Sequence, residues 1–121
     1  MYEDFAKWLD SVLERCLQVD AVALNFNIYE EEDSEWSIQL VATASYTEEN
    51  DDWACDEVYS SEEDLYYWKN EADWTEVYEQ VVDFVNEYFE KGKYIEELKR
   101  YEAIGIGFVD GDIGVVFQKN Q

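Results

Sequence analysis

The spacing of apolar residues changes abruptly near residue 20, and this change constrains the fold more than any other feature of the sequence. Before it, apolar residues recur every three or four positions, which is typical of one face of an amphipathic helix. That stripe consists of Phe5, Trp8, Leu9, Val12, Leu13, Cys16 and Leu17. After it, apolar and polar residues alternate, as they do along a strand with one buried face. The chain therefore combines a helix with a sheet.

Two segments carry the alternating pattern, and a third carries a weaker form of it. Residues 22–28 and 36–44 predict two antiparallel strands, joined by a charged loop over residues 30–35 that needs water around it. Residues 53–59 predict a weaker strand. Residues 65–68 are compatible with either a helical turn or a hydrophobic lip.

A second long helix is predicted to begin after Asp73. Asp73 followed by Glu76 matches a capping box, in which each residue satisfies an amide of the other. The apolar stripe that follows comprises Trp74, Val77, Tyr78, Val81, Val82, Val85, Tyr88 and Phe89. Gly92 stands where a left-handed residue would end the helix, and a shorter helix is predicted over residues 93–100.

The last twenty residues predict a β-hairpin. Residues 103–109 and 112–118 flank Asp110-Gly111, a dipeptide suited to a two-residue turn. Closing on that turn predicts the pairs Phe108 with Ile113, Ile106 with Val115, and Ile104 with Phe117. The same register places Gly105, Gly107 and Gly114 together on the other face, either for close approach of another group or for strand twisting.

These elements predict an α+β fold in which residues 1–121 form one acidic domain. We expect an antiparallel sheet of about four to five strands, helices packed on one of its faces, and a C-terminal β-hairpin. Trp8, Trp36 and Trp74 lie at apolar positions of their elements and are predicted to fill the core.

The net charge excludes several classes of ligand. The chain has 31 acidic and 8 basic residues and a formal net charge of -23, so sequence-independent binding to nucleic acid or to an anionic membrane is not expected. At 47% hydrophobic and 17% aromatic residues, the chain is still far too apolar for a disordered acidic segment.

The N-terminal residues and the cysteines predict a cytoplasmic protein. Residues 1–10 form an acidic amphipathic segment without the basic and apolar regions of a signal peptide. In such a chain Cys16 and Cys55 are expected to be free, buried thiols.

The sequence offers little for catalysis. It contains no histidine, its glycines match no phosphate-binding motif, and Cys16 has no base to activate it. Carboxylate pairs of the kind used by glycoside hydrolases occur by chance among so many acids. No group of acids has the spacing of a calcium-binding loop. We therefore predict a non-enzyme without a cofactor or a bound metal.

Acidic and aromatic residues are interleaved between Glu30 and Trp68. That stretch has fourteen carboxylates and no lysine or arginine. Aromatic rings provide contact area while carboxylates at the rim steer a cationic partner, so we predict a surface that binds a basic protein. The predicted contact residues are Glu31, Glu32, Asp33, Glu35, Glu48, Glu49, Asp51, Asp52, Trp53, Asp56, Glu57, Tyr66, Tyr67 and Trp68.

In size, acidity, aromatic loops such as residues 48–53 and order of elements, the chain resembles the small acidic immunity proteins of bacterial contact-dependent and polymorphic toxin systems. The resemblance is to the class, and no motif of a single family is present. It implies tight binding to a cognate toxin domain in the cytosol, with no catalysis by the inhibitor. From the charge we expect that toxin to be a basic nuclease-type domain whose active site or groove is occluded.

A DNA mimic is the alternative. In that case the carboxylates would imitate phosphate spacing and block a restriction, repair or regulatory DNA-binding protein. A mimic is expected to compete with many DNA-binding proteins, whereas an immunity protein selects one toxin.

Overall fold

A computed structural model describes residues 1–109 and 111–119 and confirms the α+β class. The helices are α1 (Tyr2–Cys16), α2 (Trp74–Lys91) and α3 (Ile95–Leu98). The strands are β1 (Ala23–Glu30), β2 (Glu35–Thr43), β3 (Glu57–Ser60), β4 (Tyr66–Lys69), β5 (Ala103–Phe108) and β6 (Ile113–Gln118), and a 3₁₀ turn spans Asp52–Cys55.

The six described strands belong to one sheet, with the order β3-β2-β1-β5-β6. Strand β4 also pairs with β2, along its first residues, whereas β3 pairs with its last ones. The strand count exceeds the four to five expected, because β4 lies where a helical turn or lip was predicted. The sheet is also mixed, since β1 and β5 are parallel, from Ala23 beside Ala103 to Ile28 beside Phe108. The remaining pairs are antiparallel.

One face of the sheet packs against the two long helices, as predicted. Alternate residues of the strands point to this face, and Phe26, for example, lies between Leu40 and Ile106. These side chains form a single buried cluster with Phe5 of α1 and Phe84 of α2, whose rings stack at 5.0 Å. Removal of this apolar area from water is the main stabilising term.

The first half of the predicted capping box is present at the N-terminus of α2, but the predicted C-terminal residue conformation is not found. The Asp73 side chain accepts a hydrogen bond from the Glu76 amide at 2.9 Å. Gly92 is extended, with φ -70° and ψ 159°, so the predicted left-handed residue is wrong. A Cβ at this position would overlap the ring of Tyr88, and that close contact explains the glycine.

The C-terminal hairpin is present with a register different from the predicted one. Ile104 pairs with Phe117, but a bulge after it pairs Ile106 with Gly114 and Gly107 with Ile113. Gly114 therefore faces the helices, where a Cβ would overlap the Tyr78 hydroxyl. Asp110 of the predicted two-residue turn lies outside the described residues.

Both cysteines are free, as predicted, and Cys16 is buried, but Cys55 is exposed. In the described ranges, 1–109 and 111–119, we find no helix whose length and apolar character would let it cross a membrane.

Candidate protein-binding surface

The β1–β2 connection is a tight turn rather than an open loop. The Glu35 amide donates to the Glu32 carbonyl at 3.1 Å, and the two central residues, Asp33 and Ser34, have φ values of 55° and 61°. This is the geometry of a primed hairpin turn, which suits the right-handed twist of the strands. The carboxylates of Glu31, Glu32 and Asp33 are exposed there, and that of Glu35 is half-buried.

Two other segments meet this turn. The Val109 amide donates to the Ile28 carbonyl at 3.2 Å, which places the β5–β6 connection beside the β1–β2 turn. The Asn70 amide donates to the Ser34 carbonyl at 2.9 Å, which brings the start of α2 to the same place. We call this side of the molecule the turn end.

Trp74 is the most exposed aromatic side chain at the turn end, at 57% of its full accessibility. Its ring stacks on Phe108 with centroids 5.4 Å apart, and its Nε1 donates to Glu30 Oε1 at 3.1 Å. The predicted core position for Trp74 is wrong. Trp74 opens α2 at the rim of the sheet, and the first buried residue of the helix is Val77, almost one turn later.

The Trp74 ring is held in place from below. Phe108 packs edge-on against the buried Trp36 at 6.0 Å. Around the stacked pair lies a shallow, largely apolar depression of about 380 Å³, whose wall includes Tyr78 and Glu79. An exposed ring fixed by stacking and a hydrogen bond loses little entropy when a partner covers it.

A second depression adjoins the first on the opposite face of the sheet. It measures about 480 Å³ and is lined by Asn27, Asp51, Asp52, Ala54, Cys55, Glu57, Phe108, Val109, Gly111 and Ile113. Phe108 lines both depressions and lies between them. The Asp51 carboxylate accepts a hydrogen bond from the Ile113 amide at 3.1 Å and fixes the acidic segment to the hairpin.

We use the term Trp74 surface for the exposed part of this region. It consists of Trp74, Phe108, Val109, Glu30, Glu79, Asp51 and Asp52. Sequence reasoning missed its apolar centre, because Phe108 and Val109 read as ordinary strand residues.

Trp53 lies beneath the acidic segment rather than on the surface. It is 3% exposed, contacts Tyr46 edge-on at 5.2 Å and lies against Gly105, where a Cβ would be 3.3 Å from its ring. Of the two roles considered for the glycine face, close approach is seen at Gly105, where Ile113, Asn25 and Trp53 leave little room for a Cβ. The exposed position predicted for Trp53 is wrong. Its packing holds Asp51 and Asp52 over the sheet.

Tyr66 and Trp68 are also interior residues, so an exposed contact role is wrong for them too. Because β4 pairs with β2, Trp68 lies beside Trp36 and Tyr66 beside Ile38, on the face that packs against the helices. Tyr67 points the other way and is 51% exposed.

The predicted acidic residues do not form one cluster. The turn end carries Glu31, Glu32, Asp33 and Glu35. The second depression is lined by Asp51, Asp52 and Glu57. Glu48 is elsewhere, since its carboxylate accepts from Gln118 at the far end of β6 at 2.9 Å. Glu49 is exposed in the same loop, and Asp56 accepts a hydrogen bond from Ser45 at 3.0 Å.

Among the described residues, no carboxylate of the turn end forms an ion pair, although Lys69 lies opposite Glu35 across β2 and β4. Over residues 1–109 and 111–119, the ion pairs are Arg15–Asp64, Lys91–Glu87, Lys99–Glu96 and the N-terminus with Glu3, none of them at this surface. Because a single lysine faces several carboxylates, this surface keeps a negative potential that attracts a cationic partner.

Two features of the described residues concern metal binding and nucleophilic chemistry. Among them, no group of three or more His, Cys, Asp or Glu side chains could hold a metal ion. Burial raises the pKa of the Cys16 thiol to about 11, which keeps it protonated at neutral pH. The Trp74 surface can bind a cation against the face of the Trp74 ring, since several carboxylates lie beside that ring.

No protein-family model, curated protein or solved structure matches this chain.

Proposed function

We propose that the protein is a non-catalytic inhibitor that binds a basic protein partner through the Trp74 surface. The main support for this proposal is the exposed Trp74 ring, which stacks on Phe108 and donates a hydrogen bond to Glu30. The carboxylates around it form no ion pairs among the described residues. Because a large apolar ring is normally withdrawn from water, a tryptophan held outward in this way is best explained by a partner that covers it.

The chemistry of the surface favours a lysine- or arginine-rich partner. A guanidinium over the Trp74 ring gains a cation–π interaction and lies within reach of the Glu30 carboxylate. The more distant acids, such as Asp51 and Asp52, contribute chiefly to steering, which raises the association rate and depends on salt.

A cationic substrate groove, such as that of a nuclease, has the matching charge. Occlusion of such a groove would neutralise the enzyme without any reaction by the inhibitor. We therefore propose an immunity protein that acts in the cytoplasm against a cognate bacterial toxin domain, in agreement with the class that the sequence resembles.

The test is affinity capture from a lysate of the source organism at low and then moderate salt, followed by binding measurements with the captured partner. Trp74→Ala is compared with Tyr67→Ala, because both remove an exposed ring but only the first belongs to the Trp74 surface. We expect Trp74→Ala to weaken binding by about 30-fold or more, the size of a hot-spot loss of about 2 kcal/mol, and Tyr67→Ala to weaken it less than about threefold.

Two results would contradict the proposal. Equal binding by the wild type and Trp74→Ala would move the interface elsewhere. Recovery of many unrelated DNA-binding proteins that wash off together would favour the DNA mimic.

A further inference from the structure

Strand β6 forms an edge of the sheet that is interrupted by a bulge at Val116 and by a hydrogen bond from the Ile113 amide to Asp51. In the part of the chain that the structure describes, β5 is its only neighbour. Its six residues, Ile113–Gln118, include no charged side chain and no proline. Natural proteins normally protect edges with lysine, proline, a bulge or a covering segment, because free backbone groups pair readily with another strand. Of these, β6 has the bulge, and its remaining outward backbone groups can pair with an added strand.

The strand is held firmly from its inner side. Phe117 stacks on Phe89 of α2 with centroids 5.2 Å apart, and Gly114 lies under the Tyr78 hydroxyl. On the outside, Val115 is 41% exposed, and residues Val115 to Gln118 line a shallow depression of about 410 Å³. The edge is thus preformed, so an added strand would not have to order it.

Carboxylates lie near both ends of β6, and Lys119 follows its last residue. At its start, Asp51 accepts a hydrogen bond from the Ile113 amide, and Asp112 precedes the strand. At its end, Glu48 accepts from the Gln118 side chain. If a second copy paired here in the antiparallel sense, Asp51 of one chain would meet Glu48 of the other, with a charge of -23 on each. Like charges so placed oppose self-association.

From these observations we infer that the β6 edge accepts an extended strand from the basic partner, which continues the sheet by main-chain hydrogen bonds. The inference rests on the proposed function and adds a second contact to the Trp74 surface. Main-chain pairing provides affinity, and lysine or arginine side chains at the two ends of the added strand would meet Asp51 and Glu48.

The experiment uses synthetic strands as probes of the wild-type protein. One peptide alternates lysine with valine, a second alternates glutamate with valine, and a third is the lysine peptide with every amide N-methylated. Amide hydrogen exchange of residues 113–118 is followed by NMR. With the lysine peptide at about ten times its Kd, we expect exchange to slow about tenfold at those β6 amides that donate neither to β5 nor to Asp51.

The two control peptides separate pairing from attraction. The N-methylated peptide keeps the charge but cannot donate, and the glutamate peptide can donate but is repelled, so neither should give protection. Equal protection by the N-methylated peptide, or none by the lysine peptide, would overturn the inference. Protection that appears without peptide and grows with protein concentration would show that a second copy occupies the edge and would also overturn it.

A Trp74→Ala variant distinguishes this inference from the proposed function. The peptide should protect β6 in this variant as well as in the wild type, because Trp74 stacks on Phe108 of β5 and not on β6. If the captured partner depends on Trp74 while the lysine peptide never protects β6, the strand inference fails alone. If the peptide protects β6 while partner binding ignores Trp74, the proposed Trp74 surface fails alone.

Discussion

The turn end and the opposite region around the end of α2 use charge and aromatic rings in different ways. In the opposite region, Lys91 pairs with Glu87 and Lys99 with Glu96, and the Lys93 ammonium lies 5.3 Å from the Tyr94 ring. Among the described residues of the turn end, no carboxylate forms an ion pair and no cation lies over the Trp74 ring. A requirement for solubility alone does not explain this asymmetry, because it would be met by acids anywhere on the surface.

The two regions are expected to differ most in how much their aromatic rings contribute to the free energy of unfolding. Tyr88 of α2 is fully buried, and its hydroxyl donates to Asp10 and accepts from the Tyr94 amide. We expect Tyr88→Ala to lower the free energy of unfolding by about 4 kcal/mol and Trp74→Ala by less than about 1 kcal/mol. Urea unfolding followed by circular dichroism measures both, and similar losses would mean that Trp74 is a structural residue.

The second difference is in sensitivity to high pH. Burial raises the pKa of the Cys16 thiol from 9.0 to about 11, and burial likewise raises the pKa of its neighbour Tyr101. Because the folded-state pKa of Cys16 exceeds the unfolded one, its contribution is complete below about pH 9 and is lost as the pH rises through 11, and the loss from Tyr101 continues above that pH. We expect the free energy of unfolding to fall by about 2 kcal/mol over that interval.

Urea unfolding at pH 8 and pH 11 tests this expectation. Cys16→Ala removes one of the two groups and should reduce the fall. A free energy that does not change with pH in the wild type would contradict it.

The third difference concerns charge. Glu32, Asp52 and Asp112 are exposed acids near the Trp74 surface, whereas Glu14, Asp83 and Glu90 are exposed acids on the helices. Changing either triple to lysine alters the net charge equally. We expect the first triple to slow association with the captured partner about tenfold at low salt and to flatten its salt dependence, and the second to have a smaller effect. Stopped-flow measurements at several salt concentrations decide this, and equal slowing by both triples would mean that only net charge matters.

The smallest expected effect concerns the turn itself. Asp33 and Ser34 occupy left-handed backbone conformations that asparagine and glycine adopt more easily. The double change Asp33→Asn and Ser34→Gly should raise the free energy of unfolding by about 1 kcal/mol. Thermal unfolding measures the change, with Asp33→Asn alone as the control for the lost charge. A lower melting temperature in the double variant would show that the wild-type turn is not strained.

The sequence predicted those parts of the fold that depend on neighbouring residues. The Asp73 cap, α1, α2, the first two strands and the C-terminal hairpin are all specified by local spacing. The parallel pairing of β1 with β5 was not predicted, because no local pattern encodes which distant strand lies alongside. Strand β4 was missed because Tyr66, Tyr67 and Trp68 are all aromatic, so the alternation of buried and exposed side chains is invisible in the sequence.

The candidate site was predicted only in part, for similar reasons. The acids of the β1–β2 turn are exposed, as any run of carboxylates is expected to be. Trp74 and Trp68 were assigned opposite to their true positions. Helical periodicity gives the direction of a side chain, but not whether a neighbour extends far enough to cover it. The bulge after Ile104 likewise moved Gly114 to the other face, and bulges follow from pairing that sequence spacing does not reveal.

The position of β5 also determines when this chain can fold during synthesis. Strand β1 is complete once residue 30 has been made, but its parallel neighbour begins only at Ala103. Pairing so distant in sequence is slow, because a long loop must close before the contact forms. Until then the edge of β1 that will pair with β5 has free backbone groups, next to the apolar side chains of Leu24, Phe26 and Ile28. A ribosome stalled shortly before Ala103 would therefore carry an aggregation-prone intermediate.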